Sequence, residues 1–199
     1  VLALARIGGR RRWAVLAAGL TPWLLVLVIA GPTKRGLIAP EQHDDDGETF
    51  TLLAQNVWYE GEDPARTVQL LLERDADVLV LTEFTQAHAD ALEGESVAQR
   101  YPYRWELPEP DGGGLALLSS LPFDEPVELP LWTPAIQAEL ELGDATVTLV
   151  ATHPVSPSDN YSIVRWREDY DDLVRIVADA GPRTVVAGDM NATTTHRRL

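Results

Sequence analysis

Apolar residues run along this chain in two distinct patterns, and the first is a single long block. Residues 13–30 are eighteen in succession without a charge; as a helix they extend about 27 Å at 1.5 Å per residue, close to the hydrocarbon thickness of a bilayer. The pattern predicts a membrane span. A cleavable signal peptide is the alternative, supported by the basic residues just before the run, but the run exceeds the usual apolar region of such peptides and no small-x-small cleavage site stands out. Arg6, Arg10, Arg11 and Arg12 precede it, and Lys34 and Arg35 follow it. The positive-inside tendency then puts the N-terminal side in the cytoplasm and everything after Gly31 outside. The chain opens on Val1 and not Met, and apolar Val1 to Ala5 looks like the tail of an earlier span. Residues 1–12 are therefore expected to be the end of that span and a basic cytoplasmic loop.

The second pattern begins at residue 49, after a linker over 31–48 rich in Gly and Pro and carrying the acidic run Asp44-Asp45-Asp46. His43 beside those aspartates has no calcium-loop spacing and is a solvated neighbour of a charge run. From there short apolar runs alternate with amphipathic ones. Residues 50–55 predict a strand; Asp63 and Pro64 cap and start a helix over 65–74 with Val68, Leu71 and Leu72 on one face. Residues 78–81 predict an apolar strand, and 85–93 a short helix stopped by Gly94. The middle third reads as β, with strands at 103–107, 115–119, 126–131, 136–142 and 146–152 and a hairpin turn at Gly143-Asp144. A helix over 163–180 follows, its stripe of Ile163, Trp166, Tyr170, Leu173, Val174 and Val177 spaced for packing on a sheet. Gly181-Pro182 ends it. Residues 184–187 then predict a buried strand closed by Gly188. The class is α/β, in one domain over 49–199, with no internal repeat.

Charge narrows the chemistry. Residues 36–199 hold ten basic against thirty-one acidic residues, a net of −21. Such a surface repels polyanions and disfavours tight sequence-independent DNA binding, while divalent cations are attracted to it. There are no cysteines, so disulfides and thiolate metal sites are excluded.

The predicted strand ends carry the candidate chemistry: Asn56, Glu83, His153, and the pair Asp189 and Asn191. Carboxyl ends of strands are where active sites gather in folds of this class. Alternation after the last strand puts Asp189 and Asn191 on one side of the backbone, a carboxylate to orient or deprotonate water and a carboxamide to donate to a phosphate oxygen. The plain alternative is a strand followed by an Asx turn. One carboxylate with waters and phosphate oxygens is how Mg²⁺ is commonly held, and hard oxygen ligands without a Cys or His cluster favour Mg²⁺ or Mn²⁺ over zinc.

Five segments in order, Leu53-Ala54-Gln55-Asn56-Val57-Trp58, Val80-Leu81-Thr82-Glu83, Gly114-Leu115-Ala116-Leu117-Leu118-Ser119, Thr152-His153-Pro154 and Gly188-Asp189-Met190-Asn191, resemble the endonuclease/exonuclease/phosphatase superfamily, whose fold is that of deoxyribonuclease I. The resemblance implies a four-layer αββα sandwich of two packed sheets, here preceded by a transmembrane helix. It implies Glu83 as metal ligand, Asn56 beside metal and phosphate, His153 as donor to the phosphate, Asp189 as the residue that aligns or activates water, and Asn191 as its partner. Trp58 stands where the family's nucleases often carry Asp, which brings the chain closer to the branches that cleave lipids and small phosphoesters. The family closes on a Ser-Asp-His-type motif in a last strand; His196 does not match it, and the last strands are expected to be missing, leaving the 199 residues with little turnover. The function expected is a membrane-anchored, outward-facing, metal-dependent phosphoesterase acting on a lipid head group or small diester, with no protein partner implied. The alternatives are a non-catalytic binding or sensing module on the same fold, or a surface nuclease.

Overall fold

Five-residue runs that are apolar at nearly every position need cover on both faces, and two of them form the middle of a sheet here. The computed structural model describes residues 2–7 and 48–192. In it β3 (Val78–Thr82) and β5 (Leu115–Ser119) are buried at every residue. With β1 (Leu2–Ile7), β2 (Phe50–Asn56) and β4 (Tyr103–Leu107) they make a five-stranded sheet in the order β1-β2-β3-β5-β4. A second sheet has the order β6-β7-β8-β9, from β6 (Val127–Glu128), β7 (Ala135–Leu142), β8 (Ala145–Thr152) and β9 (Thr184–Ala187).

Each sheet holds one parallel pair, and each pair is joined by a helix as parallel connections require. In the first, β2 and β3 run parallel and are linked through α1 (Pro64–Leu72). In the second, β8 and β9 run parallel and are linked through α4 (Asn160–Ala180). Asp63 starts α1 by accepting from Arg66 N–H at 2.8 Å, and Asp159 starts α4 by accepting from Tyr161 and Ser162 N–H at 2.8 and 2.7 Å. These carboxylates satisfy amides that a helix's first turn leaves without an internal partner.

Leu52, Val80 and Leu117 of one sheet meet Ile136, Leu140 and Leu149 of the other in the central core. On the far side of the first sheet, Leu53, Leu79, Leu81 and Leu118 pack under Val68 and Leu71 of α1 and under Phe84, Leu92 and Val97. Full burial of each such side chain is worth about 1.5–3 kcal/mol. With α4 beside β9 on the second sheet, the layers run helix, sheet, sheet, helix, as the resemblance implies.

Several elements differ from the pattern-based expectation. The span tail expected over Val1 to Ala5 and the start of the expected cytoplasmic loop overlap an extended segment, Leu2–Ile7, that pairs antiparallel with β2 from Leu2↔Gln55 to Ile7↔Phe50, a pairing that a single membrane crossing between the two strands would not allow. A short apolar run carries too few residues to separate a strand from a helix end. The predicted span over 13–30 lies outside the described residues; among those described, no helix is long and apolar enough to cross a membrane. Gly94 does not merely stop α2 (Gln86–Ala91) but precedes a further helix, α3 (Glu95–Arg100), that periodicity did not reveal. The predicted strand over 126–131 shrinks to two residues. In α4, Val174 is 65% exposed while Asp169 is fully buried, so the inward stripe is Trp166, Asp169, Tyr170 and Leu173. The strand β9 is only half-buried, with Val186 38% exposed, because it lies at the edge of its sheet.

Two glycines set how closely loops approach. A Cβ at Gly114 would stand 1.8 Å from Phe84 O, and one at Gly188 would stand 1.8 Å from Thr152 O. Both carbonyls adjoin a strand-end residue of interest, Phe84 next to Glu83 and Thr152 next to His153. We expect Gly114→Ala to destabilise the fold by about 1–3 kcal/mol or more, the range for overpacking a site with no room to relax. Gly112→Ala, whose Cβ would meet nothing nearer than 3.9 Å, should cost far less. Urea midpoints of the two variants measure this, and equal midpoints would contradict the close-approach reading.

Candidate active site

The parallel pairs bring their strand ends to one rim of the sandwich, and all five polar residues expected at a site meet there. Asn56 ends β2 next to Thr82 of β3, with which it is in register. Its Nδ2 donates to Glu83 Oε1 at 2.6 Å and to Asp189 Oδ2 at 3.1 Å, while its Oδ1 accepts from Trp58 N–H at 2.9 Å. One carboxamide thus joins two carboxylates delivered by different sheets. The other oxygen of Glu83 accepts from Tyr59 N–H at 3.2 Å.

The second half of the site is built on β8 and β9. His153, 9% exposed, follows β8 and uses both ring nitrogens. Its Nδ1 lies 3.1 Å from Gly112 O, which can only accept, and its Nε2 lies 3.1 Å from Asn191 Nδ2, which can only donate. The partners fix the neutral tautomer with its proton on Nδ1. The second N–H of Asn191 goes to Pro154 O at 2.9 Å. Asp189 Oδ1 accepts from Asn191 N–H at 3.0 Å, and Asp189 Oδ2 stands 4.0 Å from His153 Nε2. Asp189 and Asn191 are therefore arranged by an Asx turn and not by strand alternation. The turn still sends both side chains to one place.

Among the described residues four non-glycines have positive φ, and three of them are here: Trp58 at 61°, Glu83 at 58° and Asn191 at 45°. Left-handed backbone costs such residues of order 1–3 kcal/mol and persists where surrounding contacts impose it, which is common at functional sites. The rim is also electronegative. The Tyr59 hydroxyl has its pKa raised, first by the charge of Glu60, then by burial and by Glu83.

Behind the rim, α4 makes three contacts, two of them with the site, that the sequence pattern did not flag. Asp169 Oδ1 accepts from Trp132 N–H at 2.8 Å, and Trp166 Nε1 and Tyr170 Oη donate to Met190 O at 3.4 and 2.9 Å. A carboxylate on an otherwise apolar helix face was the available signal at Asp169. Nothing in the pattern marks Gly112 O, whose importance comes from the chain folding over His153.

The donors facing one another at Glu83, Asp189 and Asn56 are hard oxygens and an amide, and no group of three or more His, Cys, Asp or Glu able to hold a metal occurs among the described residues. Each Glu83 oxygen takes one N–H and keeps a further lone pair. This set fits Mg²⁺ or Mn²⁺ carrying most of its own waters and does not fit zinc. Asn56 turns its nitrogen toward the carboxylates, so the protein oxygens available are those of Glu83 and Asp189.

Two stacked sheets with polar strand ends meeting at one rim define the deoxyribonuclease I type of fold. The chain belongs to the endonuclease/exonuclease/phosphatase family, whose model matches residues 53–199. Among solved structures it is similar to a humanised D. rerio TDP2 carrying 14 mutations, at 18% identity and TM-score 0.58 over 72% of this chain and 62% of that one. It is similar too to Staphylococcus aureus beta toxin lacking a β-hairpin, at 16% identity and TM-score 0.58 over 77% and 70%. Sphingomyelinase C from Streptomyces griseocarneus matches at 17% identity and TM-score 0.59 over 74% and 66%. The chain thus spans less than two thirds of the first of these and about two thirds of the others. No curated protein matches it.

Burial raises the pKa of Asp169, against the pull of the Trp132 and Val155 backbone amides. A carboxyl with a raised folded pKa contributes most below its unfolded value, near 4, and loses that contribution as pH rises through the folded value. Asp169→Asn keeps an acceptor for Trp132 and has no charge to bury. The variant should gain stability relative to the parent between pH 4 and pH 7.5, as measured by urea midpoints; a constant difference across that range would show that Asp169 does not titrate in this window.

Proposed function

We propose that this chain is a metal-dependent phosphoesterase acting on a lipid head group or small phosphodiester. The observation that carries the reading is the single Asn56 carboxamide bridging Glu83 and Asp189, with the His153–Asn191 pair opposite them. Membership of the family supports a phosphoester substrate. A divalent cation held at Glu83 would supply charge neutralisation for the phosphoryl oxygens.

The protein groups divide the remaining work. Asp189, 37% exposed at its side chain, can take a proton from a water or hold it in line with phosphorus. Asn191 donates to His153 at rest, and the same N–H can turn to a phosphoryl oxygen. The imidazole can donate through Nε2 only after taking a proton there from solvent, since at rest that nitrogen accepts; Asp189 at 4.0 Å balances the new charge as long as it orients the water and stays ionised. Gly112 O keeps Nδ1–H engaged throughout, which holds the ring in place. The acidity of residues 36–199, a net of −21, favours a small substrate over a long polyanion.

The protein expressed from its complete open reading frame should hydrolyse a chromogenic phosphodiester only with Mg²⁺ or Mn²⁺ present, and should do so faster than it degrades plasmid DNA. Asp189→Asn should lower kcat by about 10²–10⁴, the range for loss of a general base, and His153→Ala by about 10²–10³. Full activity in chelator, or an Asp189→Asn variant as fast as the parent, would sink the mechanism.

A further inference from the structure

Two donors on one face of α4 converge on a single carbonyl. Trp166 and Tyr170 are four residues apart, about one helical turn. Their rings lie 4.5 Å apart at 47°, and both residues are buried, at 5% and 7% exposure. Nε1 of the first and Oη of the second reach Met190 O at 3.4 and 2.9 Å.

Met190 is the residue between Asp189 and Asn191, and its carbonyl shares a peptide plane with the Asn191 N–H. That N–H donates to Asp189 Oδ1 at 3.0 Å. One planar unit is thus gripped at both ends, by α4 at the oxygen and by Asp189 at the nitrogen. The direction in which the Asn191 side chain leaves this plane follows from the grip, because its backbone sits in the left-handed region at φ 45°. The Asn191 carboxamide then lies in reach of both His153 Nε2 and Pro154 O.

We propose that Tyr170 and Trp166 are positioning residues of the site: by holding the Met190 carbonyl they fix the peptide plane that aims Asn191 at His153. The assignment deepens the phosphoesterase reading and, as a catalytic statement, rests on it. The donor role of Tyr170 is insensitive to working pH, since burial, and after it the charge of Asp189, push its pKa up to about 12. A latch that only fastens helix to sheet would give stability and nothing more. What separates the two roles is the environment of His153 Nε2, the ring nitrogen that accepts from Asn191.

The test uses the ¹⁵N shifts of the histidine rings together with kinetics on a chromogenic phosphodiester. Tyr170→Phe removes one hydroxyl and keeps the ring; Trp166→Phe removes the other donor and serves if the first variant does not fold. Leu173→Ala, on the same helix face and buried at 5%, is the control for a general loosening of α4. Tyr170→Phe should move the His153 Nε2 shift as the Asn191 N–H withdraws from it, with Nδ1–H still on Gly112 O, and lower kcat about tenfold with KM nearly unchanged. Leu173→Ala should lower the melting temperature and leave the His153 shifts as in the parent. His153 shifts unchanged in Tyr170→Phe, or moved as far by Leu173→Ala, would overturn the proposal. A parent protein without activity would count against the phosphoesterase reading, while the ring shifts would still decide whether the clamp acts on Asn191.

Discussion

Two carboxylates at one rim repel each other, and in this structure a single neutral amide holds them together. Asn56 gives one N–H to Glu83 and the other to Asp189, and has its carbonyl taken by the backbone at Trp58. An aspartate in its place would present a third negative charge and no donor. A lysine would neutralise one carboxylate and could not bridge both without losing the amide's directed geometry. The carboxamide alone supplies two directed donors without adding charge. Because Glu83 follows the first sheet and Asp189 the second, the same side chain also ties the sheets together where their apolar core runs out. The bond from His153 to Gly112 O makes the return stitch, from the second sheet to the loop that precedes β5.

What surrounds that hub is a repeated arrangement without a repeated sequence. In each sheet a helix-joined parallel pair delivers two neighbouring strand ends, Asn56 with Glu83 and His153 with Asp189. In each, a glycine without room for a Cβ lets another backbone pass behind, Gly114 against Phe84 and Gly188 against Thr152. The precision of the site is therefore a property of sheets and close backbone contacts. Of the left-handed residues there, Trp58 and Glu83 have no local preference for that backbone, whereas Asn191 is of a type that adopts it readily.

The strands and their polar ends were legible because burial on two faces demands uninterrupted apolar runs, as at Val78 to Leu81, and the first polar residue after such a run is easy to see. The short helix at Glu95–Arg100 was not, since six residues are too few for periodicity. Asp169 and Val174 exchanged their expected faces because a buried backbone amide at Trp132 needed an acceptor more than the core needed one more valine. The five polar residues that meet at the rim could be picked out from sequence, but their wiring could not. Asn56 as a bridge, Gly112 as the anchor of His153 and the Asx turn at Asp189 all depend on contacts between distant segments.

The bridge from Asn56 to Asp189 spans 133 positions of the chain. Closing so large a loop carries an entropic cost that local contacts do not share, and topologies of this kind fold slowly for that reason. During synthesis the first sheet has its strands long before β9 leaves the ribosome, whereas the hub cannot form until Asp189 has emerged and the second sheet has docked. The rim would then be completed in one late step. A chain with only its first sheet in place would carry Asn56 and Glu83 with no opposing partner, so partly made molecules would hold half a site and none of its bridge.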